Sequence, residues 1–90
     1  MTEFESSINK LLAEWNPIGV PDQIALSEYS TYVPIITKAY DSRKGLQSIH
    51  ESLIEVYTEH LGYDLNELGT NAIQRLAEHI FFLFREHEKV

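Results

Sequence analysis

Ninety residues with no cysteine make one small domain, 1–90, without a disulfide framework, a thiolate nucleophile or a cysteine zinc site. Fourteen acidic against seven basic side chains give a formal charge of -7, which argues against nucleic acid and anionic membrane as direct ligands, because neutralising phosphates needs a basic face. A field of this sign steers in a basic macromolecule, although an acidic balance is also a common route to solubility.

A hydrophobic fraction of 43% with 11% aromatic residues is that of a packed globule. The N-terminus, Met1-Thr2-Glu3-Phe4-Glu5, is acidic where a secretory signal is basic, and no apolar run nears the roughly 18 residues of a membrane span. A cytoplasm of bacterial type is the expected compartment.

Phe4, Ile8, Leu11, Leu12 and Trp15 form the stripe of an amphipathic helix over residues 3–15, which Asn16-Pro17 ends. Trp15 is expected in the last turn, facing the core. Residues 16–27 read as a long packed loop, punctuated by Pro17, Gly19 and Pro21 and interleaved with Ile18, Val20, Ile24 and Leu26. Tyr29, Tyr32, Val33, Ile36 and Tyr40 then recur at helical spacing, so a second helix is expected over 28–41 with Ser27 as its N-cap. Pro34 beyond a first turn loses a hydrogen bond and clashes, so either the helix proper starts near Thr31 to Val33 or it is kinked there; the favoured reading is an irregular or tight first turn followed by regular helix.

A third helix over 45–61 presents Leu46, Ile49, Leu53, Val56, Tyr57 and His60 along one side and stops at Gly62. Residues 62–69 connect it, with a helical turn of their own at 65–68, to a fourth helix over 70–86 capped by Thr70, which buries Ile73, Leu76, Ala77, Ile80, Leu83 and Phe84. No period-two alternation or internal repeat competes with these helices. The fold class is all-α, a compact four-helix bundle with a long packed Pro/Gly loop between helices one and two.

Candidate binding residues lie on the later helices. At about 100° per residue, Glu51, Glu55 and Glu59 fall on one side of helix three, flanked by Ser48 and Ser52. Such a stripe is a solvated face or a surface for a basic partner, and like charges at this spacing repel by only a few tenths of a kcal/mol per pair. Phe82 lies opposite Ile73 on helix four, among Arg75, Glu78, Arg85 and Glu86. It is an isolated exposed residue, a sign that the helix packs on both sides, or an anchor for a homodimer or a partner.

His50, His60, His79 and His87 lack the spacing of a metal set, and the four glycines form no phosphate loop. No nucleophile elbow or acid–base pair with a cleft is present, so no enzyme activity, cofactor or metal is expected. Trp15 with Tyr29 and Tyr32 reads either as an aromatic ligand pocket or, the favoured reading, as a small core whose hydroxyls satisfy the loop backbone. In that reading Trp15, Pro17, Gly19, Tyr29, Tyr32 and Pro34 are structural.

Trp15-Asn16-Pro17-Ile18-Gly19-Val20, followed by Glu28-Tyr29 and Tyr32-Val33-Pro34, resembles a family of small bacterial helical proteins of unknown function. Its pattern is Trp, Asp or Asn, Pro, an apolar residue and Gly, then a Glu-Tyr and a Tyr-apolar-Pro segment, with amphipathic helices after. The second half of the chain shares only helical character. This chain has Asn16, Ser27 and Ser30 where such families often carry Asp, so no carboxylate role is carried over to those positions. Some proteins that look like this are immunity proteins that block a toxic effector, such as a contact-dependent growth inhibition toxin. The resemblance implies a non-enzymatic immunity or antitoxin-like protein that binds a basic toxin domain, for instance a nuclease. A small homodimeric structural or regulatory module is the alternative.

Overall fold

Thr2 opens the first helix through a reciprocal cap. Its hydroxyl accepts from the Glu5 N–H (3.1 Å), and Glu5 Oε1 accepts from the Thr2 N–H (3.0 Å). The Thr2 backbone bond, then its side-chain bond, hold the Glu5 carboxyl below the ordinary glutamate value. The computed structural model describes residues 1–88, and α1 occupies Glu3–Trp15 as the spacing predicts.

Helix resumes sooner than the punctuation of the next stretch suggests. Pro21 stands at the N-cap of α2 (Asp22–Ser30), and Asp22 places a carboxylate at the positive end of the helix. The loop is therefore residues 16–21, and Ser27 lies inside α2 instead of capping a later helix. Only Ala25 and Tyr29 are buried along α2, while Ile24 and Leu26 remain about half exposed. A stripe made of one alanine and one tyrosine is invisible to a hydrophobic count, which is why the segment reads as loop.

Tyr32 N–H bonds back to Tyr29 C=O (3.1 Å) in a tight turn, after which α3 runs Val33–Ala39 with Pro34 in its first turn. The missing proline donor costs nothing there. The chain between α1 and α4 thus forms one broken helical arm, and the expected irregular start at Pro34 is found.

Gly45, at φ 59° and ψ -125°, precedes α4 (Leu46–Glu55), which passes into a π turn over Val56–His60. The Leu61 N–H reaches Val56 C=O (2.9 Å) across this wider turn, and Gly62 follows at φ 76°. The extra residue in the turn shifts every side chain after Val56 relative to a regular helix. His60, expected on the buried side, is consequently exposed and meets the edge of Tyr32 at 6.1 Å.

Helix α5 spans Glu67–Glu88, about 33 Å at 1.5 Å per residue, and sets the long dimension of a molecule measuring 34 × 28 × 18 Å. It starts three residues earlier than Thr70 because Asn66 caps it: Asn66 Oδ1 accepts from the Gly69 N–H (2.7 Å) and its C=O from the Thr70 N–H (2.8 Å). The described residues form an all-α, four-helix bundle. Ile8 and Leu12 of α1, Tyr29 of α2, Ile36 of α3, Ile49 and Leu53 of α4, and Ile73 and Ile80 of α5 meet in one apolar core.

Asn16, in the left-handed region at φ 43°, closes α1 and organises the loop. Its Nδ2 donates to Val20 C=O (2.9 Å), and its Oδ1 accepts from the Val20 N–H (3.0 Å) and the Tyr29 hydroxyl (2.8 Å). The Tyr29 oxygen in turn accepts from the Ile18 N–H (3.0 Å). Tyr29 is fully buried, and Gly19 turns the chain at φ 76°. Trp15 is only half-buried and does not rest on Tyr29 or Tyr32. It packs against the core and tilts against Tyr57 at 5.9 Å, while the hydrogen bonds that hold the loop come from an amide and a phenol.

Burial, ahead of any other effect, raises the Tyr29 hydroxyl above its ordinary value of 10.0. A phenol that keeps its proton longer when folded stabilises the fold fully below that value and loses the contribution as pH rises through its folded value. Denaturant midpoints should therefore fall as pH climbs past 10. The fall should be shallower in Tyr29→Phe, with Tyr40, also raised by burial, supplying the remainder. An equal slope in the variant would assign the alkaline loss elsewhere.

Candidate functional site

Where α3 ends beside α4, a groove of about 360 Å³ is lined by Ala39, Asp41, Lys44, Ser48, Glu51, Ser52 and Glu55. Ser48 and Ser52 stand one turn apart and are both buried, so they form part of the wall and do not flank the carboxylates on the surface. Ser48 Oγ donates to Gly45 C=O (2.8 Å) and accepts from the Asp41 N–H (3.0 Å), which fastens the turn after α3 to α4. Ser52 Oγ donates to Ile49 C=O (2.8 Å). Both hydroxyls are engaged with backbone, and neither has a histidine or carboxylate as base.

The carboxylates occupy the exposed side. Glu51 Oε1 accepts from Gln47 Nε2 (3.0 Å), and Asp41 Oδ1 accepts from the Arg43 N–H (2.9 Å). Among the described residues, Asp41, Glu51 and Glu55 form no ion pair within 4.0 Å, although Lys44 lines the same groove. Three acidic groups around small, satisfied side chains leave a concave negative surface that a guanidinium or ammonium group can enter.

The structure brings Glu51 and Glu55 together at this groove and leaves Glu59 out of it. Glu59 sits on the π turn, where the extra residue breaks the i+4 register of the stripe. Phe82 is 62% exposed and lines neither this groove nor the crevice between α1 and α5 described below. Its neighbour Phe81 turns inward against Gly45, under Arg85 at 5.7 Å. Asp41, Lys44 and Ala39 were not legible as site residues, because only the α3–α4 packing places them opposite Glu51. The recurrence of serine at 48 and 52 beside glutamate was the available signal.

The histidines are dispersed. His87 stacks on Phe4 at 4.2 Å, His60 touches Tyr32, and His50 Nε2 is buried without a hydrogen-bond partner. Among the described residues no three His, Asp or Glu side chains converge as a metal site requires, and no helix is long and apolar enough to cross a membrane. No family model, curated protein or solved structure matches this chain.

Proposed function

We propose that this chain is a non-enzymatic binding protein that occludes a basic protein domain, in the manner of an immunity protein or antitoxin. The observation that carries the reading is the groove in which Asp41, Glu51 and Glu55 surround buried, backbone-bonded serines without an ion pair among the described residues. A net charge of -7 favours fast encounter with a cationic surface, and the groove supplies a place for its lysine or arginine side chains. A basic toxin domain, such as a nuclease, is the partner that this combination suits.

The test is capture of the partner from the source cells, followed by association kinetics. Glu51→Lys with Glu55→Lys should slow association at low salt by about 10- to 100-fold and flatten its salt dependence. Glu59→Lys alone should do much less. An unchanged rate in the double variant removes the α4 face from the interface.

The 62% exposure of Phe82 favours a second reading, in which two copies meet across the outer side of α5. Sedimentation at high micromolar concentration decides it: a wild-type dimer that Phe82→Glu dissolves supports self-association, and a monomer in both removes it.

A further inference from the structure

The end of the bundle where α1 finishes and α5 begins carries an apolar surface that the acidic groove does not use. Tyr57, on the π turn, stacks on Tyr63 at 5.2 Å and tilts against Trp15 at 5.9 Å. Its hydroxyl lies over the first turn of α5, 3.3 Å from where a Cβ on Gly69 would stand. Around this row Tyr63, Leu65 and Leu68 are 37, 43 and 82% exposed.

From Trp15 the surface continues into a crevice of about 250 Å³ between α1 and α5, lined further by Leu11, Ala72 and Leu76 together with Glu14, Arg75 and His79. Small-molecule sites occupy about 300–1,000 Å³, so this crevice has room for one large apolar side chain and little more. A half-buried tryptophan with exposed tyrosine and leucine beside such a crevice has the anatomy of an interaction surface, with aromatic anchors next to a socket.

The charges decide what fits. Leu65 and Leu68 each directly follow an exposed carboxylate, Asp64 and Glu67, and Glu14 lies in the crevice with Arg75 and His79. A second copy docking here would bring like carboxylates together and would join two chains of charge -7. We propose that this end of the bundle docks a protein segment that inserts one large aliphatic or aromatic side chain flanked by lysine or arginine. This surface is separate from the α4 groove, and the proposal stands whether or not the groove binds.

Trp15 is the only tryptophan, so its emission reports on the surface directly. The probe is a synthetic amphipathic helix of leucine and lysine without aromatic residues, compared with its leucine and glutamate counterpart. The leucine–lysine peptide should shift Trp15 emission saturably, and Leu65→Ser with Leu68→Ser should weaken that binding at least ten-fold. Both substitutions fall on exposed positions and should leave the urea midpoint in place. Glu51→Lys with Glu55→Lys should keep the shift. The proposal is overturned if the basic peptide gives no saturable shift, if the acidic peptide binds equally, or if the leucine variant binds as the wild type does. A wild-type dimer in sedimentation that the leucine variant dissolves would make a second copy the occupant and overturn it too.

Discussion

Asn16→Ala should destabilise the fold by about 2–4 kcal/mol, read as a lower urea midpoint at unchanged m. Two losses add. Alanine has no side-chain hydrogen bonds to offset a left-handed conformation, and Asn16 holds φ 43°. Its removal also strips partners from both polar groups of Val20 and from the buried Tyr29 hydroxyl. Asn16→Asp keeps the two acceptor roles of Oδ1 but turns a carboxylate oxygen toward Val20 C=O where Nδ2 donated, so it should cost about 1–2 kcal/mol, less than alanine. Equal losses in the two variants would show that the acceptor bonds to Val20 and Tyr29 contribute nothing measurable.

Gly45→Ala should cost about 2–3 kcal/mol. The backbone at φ 59° and ψ -125° is one that side-chain-bearing residues rarely adopt. A Cβ there would also stand 3.3 Å from Cε1 of Phe81, a ring packed against the core. The strain and the contact act together on the α4–α5 seam. Gly19→Ala provides the comparison, since Gly19 shares a positive φ of 76° but would point its Cβ into open space. It should lose about 1 kcal/mol from the backbone alone. A Gly45 variant no worse than the Gly19 variant would mean that Phe81 yields without cost.

Asn16 and Gly45 bear on the acidic groove through the elements they position. Asn16 and Tyr29 fix where the broken α2–α3 arm leaves α1, and α3 ends at Ala39, shortly before Asp41, which Ser48 ties to α4. Loosening the first junction displaces the wall of the acidic groove. Gly45 sets α4 against α5, and so the placement of Glu51 and Glu55 relative to the rest of the surface.

Helix α1, the buried stripe of α5, the tight start at Pro34 and the stop at Gly62 were all legible in the chain itself. Each follows from local rules: apolar residues at helical spacing, a proline that cannot donate inside a helix, and a glycine that takes positive φ. The stretch from Trp15 to Val20 reads as structural in the sequence. Its central residue is Asn16 and not Trp15, because which side chain satisfies a loop's backbone depends on what the fold brings within reach.

The acidic composition and the all-α class were set by the sequence alone, since net charge and helical period are properties of residue order. Tertiary structure decided the rest. It placed helix over Asp22–Ser30, where one alanine and one tyrosine carry the packing, and it widened the end of α4 into a π turn that takes Glu59 out of line and exposes His60. It also set Asp41, just past the end of α3, beside Glu51 and Glu55 of α4, and Tyr57 against both Trp15 and Tyr63. Periodicity describes one helix at a time, whereas a groove or a docking surface is made where two helices meet.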